Sequence, residues 1–303
     1  MTEKSVSGGW LHAILDPVRQ AKRKLLRRSE GERILLQRFE RVHGRRPNRE
    51  HPETFTDKLF CRLVSLNHQP DPRYTQVSDK YEARAYVASR VGEQHLVTLH
   101  WHGTDPRAIP FDRLPVEYVI KTNHACGQVI VVRGAVDRAE VTNQLGVWLS
   151  RDFYWAAREG QYYRIKPRIM IEEYLRNADG SGPLDYRIWC FGGKPEVIQV
   201  DNRAHDINSF FDVRWNQLDL YYRERAARPP IPRPVNLERM LEVASRLSAS
   251  FDFVRVDLYN IDGRICFGEM TLTPAAGGVR LRPEGWDRKL GEKWITSPPG
   301  PSP

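Results

Sequence analysis

The chain has 303 residues, 40% of them hydrophobic and 28% charged, with a net charge of +9 at pH 7. That balance is ordinary for a soluble globular protein and leaves room for two or three subdomains with a substantial core. No apolar run approaches the roughly 18 residues of a membrane span, and the first residues lack the apolar core and small-residue cleavage site of a secretory signal. Cys61, Cys126, Cys190 and Cys266 show no C-x-x-C spacing, which points to reduced thiols in a cytoplasm rather than a disulfide or zinc framework. The positive excess, much of it in residues 22–28 and 38–49, points to anionic partners: nucleotides, acidic polymers, nucleic acid or a lipid surface. It does not choose among them.

In chain order, residues 10–46 read as helical. An apolar stripe of Trp10, Leu11, Ile14, Leu15 and Val18 precedes the basic run at 22–28, so this segment rests either on an anionic membrane or on its own domain. Residues 53–66 read as a second helix with Thr54 or Thr56 as N-cap, and a third begins at Ser78, capped by Ser78 or Asp79. Residues 96–101, 117–121 and 129–133 read as strands, which makes His124 to Gln128 a loop between strands. Residues 138–158 read as an aromatic-rich helix, 168–175 as a strand and 177–183 as a loop. Residues 186–191 and 195–200 read as a hairpin turning at Gly192-Gly193. A proline-rich connection (228–234), an amphipathic helix (237–251) and a second hairpin around Asp262-Gly263 follow, and residues 297–303 are expected to be disordered. Antiparallel strand pairs interleaved with helices give an α+β architecture.

The second hairpin is the most informative segment. Each of its strands carries one carboxylate, Asp257 and Glu269, among apolar neighbours. A connection of odd length, from Asp262 to Arg264, sets the two opposite each other on one face. A two-residue turn sets them on opposite faces, because side chains alternate along a strand. Facing carboxylates repel unless a cation sits between them, and hard oxygen ligands of this kind suit Mg²⁺, whose shell is completed by phosphate oxygens and water. Read alone, the segment is equally a solvated hairpin with two unrelated acids. A shared metal therefore predicts an odd turn.

Two lysines stand out by position. Lys121 closes the apolar strand Tyr118-Val-Ile-Lys121 just before a small-residue loop, where Gly127, with Ala125 and Cys126, lets backbone amides approach a phosphate. Lys80 follows Asp79 at a helix start, where the dipole favours an anion.

These segments resemble a known superfamily. Asp79-Lys80, Val119-Ile-Lys121 with its loop, Ile171-Glu-Glu-Tyr-Leu175, Arg255-Val-Asp257 and Gly268-Glu-Met-Thr271-Leu-Thr-Pro274 follow the motif order of ATP-grasp enzymes. Lys121-Thr-Asn-His124 and the runs Asp185 to Pro195 and Phe251 to Pro274 are similar to its teichuronopeptide-biosynthesis (TupA-like) branch. The resemblance covers roughly residues 50 to 295.

The resemblance implies an α+β ATP-grasp fold, two α+β subdomains clasping ATP. Residues 76–174 would carry the phosphate loop and residues 175–296 the Mg-binding hairpin. A short helical basic region, residues 1–75, stands in place of the usual βαβ domain. By similarity Lys80 and Lys121 contact the ATP phosphates, and the loop with Gly127 and Gln128 closes over them. Glu172 lies near the adenine amino group, Glu173 and Leu175 offer backbone groups to the base, and Asp185 binds the ribose hydroxyls. Asp257 and Glu269 match the Mg²⁺ ligands, and Arg255 matches an arginine beside an acyl-phosphate. Thr271 stands where most members have an asparagine ligand; its hydroxyl can coordinate the metal or hydrogen-bond its water.

Other residues have weaker signals. His124, in the phosphate loop beside Asn123, is assigned a functional role. Arg187 either points at the phosphates or is an ordinary strand arginine. His100 and His102 share a strand face without an identifiable third metal ligand, which favours substrate contact or structure. Residues 203–206 either bind an acceptor or form a polar surface loop. Phe153 to Trp155 with Tyr162-Tyr163 read as packing.

The expected activity is that of an ATP- and Mg²⁺-dependent carboxylate–amine ligase acting through an acyl-phosphate. It would join an amino acid or amine to a small-molecule or glycan carboxylate in polysaccharide or related metabolite biosynthesis. Its expected place is the cytoplasm, with residues 10–28 touching the inner face of an anionic membrane. The rival readings are a kinase of a sugar or glycan and a basic module that binds a membrane or nucleic acid through residues 10–49; nucleic acid is the less expected partner.

Overall fold

The computed structural model describes residues 30–295 except residue 203 and residues 223–225. The apolar-basic stretch at 10–28, Arg203 and the tail at 297–303 therefore lie outside the described residues. Among the described residues no helix is long and apolar enough to cross a membrane.

The described part of helix α1 covers residues 30–43. Helix α2 (Phe55–His68) starts where Thr54 Oγ1 accepts from the Asp57 amide, so the expected cap is Thr54. Its Phe60, Leu63 and Val64 pack on Leu35 and Phe39 of α1, while Phe55 and Leu59 face the other way. The helix expected from Ser78 is α4 (Glu82–Val91), which starts four residues later, and a short α3 (Pro72–Ser78) precedes it. The break has a local cause: Asp79 is extended, and its carboxylate accepts the amides of Tyr81 (2.8 Å) and Glu82 (3.3 Å). Lys80 is presented by that break.

The first sheet has the order β1-β4-β2-β3, built from β1 (Leu99–Gly103), β2 (Glu117–Thr122), β3 (Val129–Arg133) and β4 (Ile169–Glu173). One face buries Tyr118, Ile120, Ile169 and Ile171 against Val141 and Leu145 of α5 (Arg138–Leu149). The helix expected over 138–158 stops at Leu149, and a short α6 (Tyr154–Ala157) follows, its start held by Asp152 accepting from the Tyr154 amide.

The second sheet has the order β7-β6-β5-β8-β9, with β5 (Asp185–Phe191), β6 (Lys194–Asp201), β7 (Asn208–Asp212), β8 (Phe253–Ile261) and β9 (Arg264–Thr271). Every ladder in both sheets is antiparallel. Strand β7 and the late helix α8 (Gly285–Lys293) are additions to the sequence expectation. One face of this sheet is apolar throughout: Ile188, Ile198, Val200, Val254, Val256 and Leu258 pack on Met240, Val243, Ala244 and Leu247 of α7 (Leu237–Ser248). The other face changes character along its length. At one end Trp189, Phe210 and Phe253 pack with Phe55 of α2, Leu290 of α8 and Trp294. Each such burial contributes about 1.5–3 kcal/mol. At the other end the same face presents Asp185, Arg187, Gln199, Asp201, Asp257 and Glu269. The aromatic end anchors the sheet; the polar end is available for chemistry.

The two sheets meet at the β8–β9 turn. Arg264 pairs with Glu173 at the end of β4 (3.1 Å), and the Ala178 amide donates to Asp262 (2.7 Å).

Candidate active site

The β8–β9 turn has two residues, not three. Ile261 pairs with Arg264, and the residues between, Asp262 and Gly263, have φ of 48° and 95°. This corrects the expectation of an odd turn. Asp257 and Glu269 are nevertheless register partners, because the ladder shifts between Leu258↔Phe267 and Asp257↔Glu269. Gly268 is the extra residue of a β-bulge, and it restores the parity that the turn does not supply. A Cβ there would lie 3.0 Å from the Asp257 carbonyl oxygen and 3.3 Å from the Tyr259 ring, so the position suits glycine.

Arg255, two residues before Asp257 on the same face, binds this pair. Its Nε and Nη2 donate to the two Asp257 oxygens at 2.7 and 2.5 Å, and Nη2 reaches Thr271 Oγ1 (3.0 Å) and Glu269 (3.5 Å). Thr271 donates to Glu269 Oε1 (3.0 Å). On the neighbouring strand Arg187 pairs with Asp185 and Asp201, both at 2.7 Å, and approaches Asp257 at 3.8 Å. Four carboxylates, Asp185, Asp201, Asp257 and Glu269, thus share two guanidiniums on one sheet face.

Burial pushes Asp257 up to about 7; Arg255 opposes the rise, and the charges of Asp185 and Glu269 add to it. Burial likewise raises Asp185. Glu269 goes the other way: burial acts to raise it, but Lys80 and Arg255 hold it below its ordinary value. Lys80 therefore faces the platform although it belongs to the α3–α4 break.

Lys80 is fixed by its neighbours. Its Nζ donates to the Ala125 carbonyl (2.8 Å) and its amide to the Asn123 carbonyl (3.1 Å). Buried Asn123 ties the loop down through Asp79 (2.9 Å), the Lys166 carbonyl (3.0 Å) and the Arg168 amide (2.7 Å). Gly127 sits at φ 75°, and Gln128 accepts from Thr122 Oγ1 at 2.5 Å, which closes the base of the loop. His124 is buried, with Nε2 3.2 Å from the Arg151 carbonyl and burial holding its pKa below the ordinary value.

Lys121 and Glu172 form a pair of their own on the first sheet, 2.5 Å apart, with Arg84 3.5 Å from the same carboxylate. The Glu173 amide already donates to the Thr98 carbonyl (2.9 Å), and its side chain is held by Thr98 and Arg264. Leu175 follows the end of β4 and is half-buried. The structure thus gathers Lys80, Asp185, Arg187, Arg255, Asp257, Glu269 and Thr271, and keeps Lys121 with Glu172. His102 lies apart, between the Tyr81 hydroxyl (3.1 Å) and Arg168 (2.8 Å).

Two groups escaped the sequence reading. Asp201, wholly buried, meets Asp185 only because β5–β6 also combines a two-residue turn, Gly192-Gly193, with a register shift between Trp189 and Cys190. Glu159 is buried beside Thr273, which donates to it at 2.5 Å; burial pushes its pKa up to about 7, with Thr273 and Arg38 opposing and Glu269 adding. A lone glutamate after an aromatic run has no sequence signal. The bulge at Gly268 has one: Ile265, Phe267, Met270 and Leu272 share a core, and the three-residue step from 267 to 270 breaks strict alternation.

Two sheets, with a fixed lysine and a glycine-containing loop beside a largely buried carboxylate–guanidinium platform, define an α+β protein with a concentrated charged site. Residues 57–295 match the TupA-like ATP-grasp family, and the chain belongs to that family. Its fold is accordingly ATP-grasp. A comparison with curated proteins finds no match. Among solved structures, D-alanine–D-alanine ligase from Bacillus anthracis, complexed with ATP, is 16% identical over 70% of this chain and 56% of that one, with a TM-score of 0.41. The Helicobacter pylori D-alanine–D-alanine ligase gives 15%, 73%, 61% and 0.43 for the same measures. Phosphoribosylamine–glycine ligase from Thermotoga maritima gives 12%, 68%, 51% and 0.39. The chain thus spans 51–61% of the length of these structures, and likenesses of this size carry no argument about chemistry.

Proposed function

We propose that the chain is an ATP- and Mg²⁺-dependent carboxylate–amine ligase that works through an acyl-phosphate. The observation that carries this reading is the Asp257–Glu269 pair, set opposite by the Gly268 bulge with Arg255 between them and Lys80 facing Glu269.

The residues present fit a divalent cation. Four carboxylates against two guanidiniums leave a negative surplus, and Asp257 stays near 7 even after pairing with Arg255. Asp257 and Glu269 would hold the ion, with the Thr271 hydroxyl beside Glu269. Among the described residues no cluster of three or more His, Cys, Asp or Glu forms a metal cage, and Mg²⁺ works with one or two carboxylates when phosphates complete its shell. When bound, Mg²⁺ would supply positive charge to the phosphate oxygens.

The chain's own residues do the rest. Lys80 and the loop with Gly127 and Gln128 hold phosphates, with His124 packed beneath that loop. Lys121, its charge balanced by Glu172, adds a cation at the nucleotide. Glu172, Glu173 and Leu175 border the adenine, and Asp185, oriented by Arg187, takes the ribose hydroxyls. Arg255 stabilises the charge of the acyl-phosphate, which brings a carboxylate and a triphosphate together and so needs cations placed beforehand. The amine then attacks the acyl carbon and phosphate leaves. Closure of the loop excludes water, which would otherwise hydrolyse the intermediate. The net charge of +9 supports anionic substrates, and the family resemblance supports a carboxylate on a polysaccharide or related metabolite.

The test is ADP release by the purified full chain with ATP, Mg²⁺, uronic acids or short peptides as carboxylates, and free amino acids as amines. ADP and an amide that each require both substrates are expected, and Asp257→Ala and Glu269→Ala should each lower turnover about 100- to 1000-fold. Undiminished turnover in both variants sinks the reading; a stable phosphorylated acceptor with no amide makes the protein a kinase instead.

A further inference from the structure

We propose that His205, oriented by Asp201, is the general base that takes the proton from the attacking amine. This rests on the ligase reading above. Asp201 ends β6, is fully buried, and divides its two oxygens: Oδ2 accepts from Arg187 Nη1 at 2.7 Å and Oδ1 lies 2.9 Å from His205 Nδ1. A carboxylate can only accept from a neutral imidazole, so the proton sits on Nδ1 and the lone pair on Nε2. The ring is 53% exposed while its carboxylate partner is at 0%, which turns Nε2 toward solvent.

The backbone is bent to make this contact. His205 has φ 57°, in the left-handed region, and its amide donates to the Asn202 carbonyl (3.0 Å). Asn202 clamps the same turn through Asp206 Oδ1 (2.6 Å) and the Asp206 amide (3.2 Å). A non-glycine residue in this region is sparsely populated unless its surroundings impose it.

Position connects the dyad to the platform. Asp201 links through Arg187 to Asp257 (2.7 and 3.8 Å), and two strand spacings, about 10 Å, separate β6 from β8. The imidazole therefore stands at the edge of the charged platform, two strands away from Asp257, which leaves it free of the phosphate-holding role assigned to Lys80. A second observation points to a ligand here. Asn208 is the register partner of Asp201, is fully buried, and neither atom of its side-chain amide has a hydrogen-bond partner among the described residues. Polar groups left this way are ordinarily satisfied by water or a ligand.

Other groups are poor candidates for the base. Lys80, Arg187 and Arg255 are cations, and Asp185 and Asp257 are tied to arginines. Glu159 is enclosed with Thr273, His124 is buried, and both ring nitrogens of His102 have partners. With His205 the step balances. The ammonium gives one proton to Nε2, and the resulting imidazolium is paired with Asp201. The freed nitrogen lone pair forms the C–N bond as the acyl C–O bond breaks, phosphate leaves with that electron pair, and the second surplus proton on nitrogen goes to the departing phosphate, which is released as hydrogen phosphate.

The experiment compares wild type with His205→Gln, using the same carboxylate panel and two nucleophiles. Hydroxylamine is already unprotonated at neutral pH and traps an acyl-phosphate as a hydroxamate without help from a base; free amino acids need one. His205→Gln should form hydroxamate within about twofold of wild type yet lose amide formation about 100-fold or more, with partial rescue by added imidazole. Equal loss of both products, or loss of neither, overturns the assignment. Asp201→Asn, with a urea unfolding curve to verify the fold, should lower amide formation at least as far as His205→Gln does; full amide formation by that variant overturns the dyad. A wild type that forms no hydroxamate with any carboxylate removes the ligase reading, and the base with it.

Discussion

Asp257 and Glu269 face each other across a hairpin whose turn has an even number of residues, and the bulge at Gly268 is what allows it. In a regular ladder from that turn, Gly268 would oppose Asp257 and Glu269 would fall on the apolar face with Val256. The bulge thus decides whether two acids can share one cation.

Valine at 268 would force a Cβ to 3.0 Å from the Asp257 carbonyl oxygen and add two methyl groups. Gly268→Val should destabilise the protein by about 1–3 kcal/mol in urea unfolding and raise the Mg²⁺ concentration needed for ADP release at least tenfold. Wild-type values for both would show that the bulge is not needed.

Glu159 makes stability depend on pH. Its folded pKa is pushed up from 4.5 to about 7, so its contribution is complete below about 4.5 and is lost as pH rises through about 7. The size is on the order of 3 kcal/mol between pH 4.5 and pH 8. Glu159→Gln removes that titration, so the variant should be more stable than wild type at pH 8 and show a flatter profile. Urea unfolding at pH 5 and pH 8 measures it, and an unchanged slope would contradict the buried, raised carboxyl.

Arg62 fastens the open end of the platform hairpin to α2. It donates to the carbonyls of Phe253 (2.8 Å) and Leu272 (3.1 Å), pairs with Asp252 (2.5 Å) and lies over the Trp294 ring at 4.2 Å. Arg62→Ala leaves both carbonyls and Asp252 without it and should cost about 3–5 kcal/mol. Arg62→Lys keeps one charge without the fork and should recover less than half of that loss. Denaturant unfolding of the two variants decides it.

Helix α1 holds a left-handed turn just beyond β9. Ala275 and Ala276 sit at φ 49° and 50°; Arg38 donates to the Ala276 carbonyl (3.1 Å), and His43 Nε2 lies 3.2 Å from the Gly277 carbonyl. Since this conformation costs roughly 1 kcal/mol for a residue with a Cβ, Ala276→Gly should stabilise the fold by about that amount. Arg38→Met should destabilise it by about 1–3 kcal/mol. Paired unfolding curves test both, and loss of stability in Ala276→Gly would show that the strain is absent.

The features legible in the sequence were local. Thr54 capped its helix, the two hairpins turned at Gly192-Gly193 and Asp262-Gly263, and the motif order identified the family before any contact was known. Caps, turns and strand alternation depend on a few neighbouring residues, so one stretch of chain carries the signal. Asp79, one of the two expected caps, does take the amides of Tyr81 and Glu82; the short helix α3 before it was missed because its seven residues are too few to show a periodic pattern.

Tertiary structure decided which of these residues meet. Lys121 is drawn to Glu172 and Lys80 to the Ala125 carbonyl, and Arg187 reaches Asp201 from 14 positions away. Bulges in two hairpins set the facing carboxylates, since each apolar face has to close on α7 and shifts the ladder by one residue to do so. The raised carboxyls of Asp257 and Glu159 have the same origin: burial and neighbouring charge are properties of the packed face and exist only once distant strands are joined. By itself the sequence determined the family and the inventory of charged groups. Their pairing, and the excess of carboxylates over guanidiniums on one sheet face, came from packing.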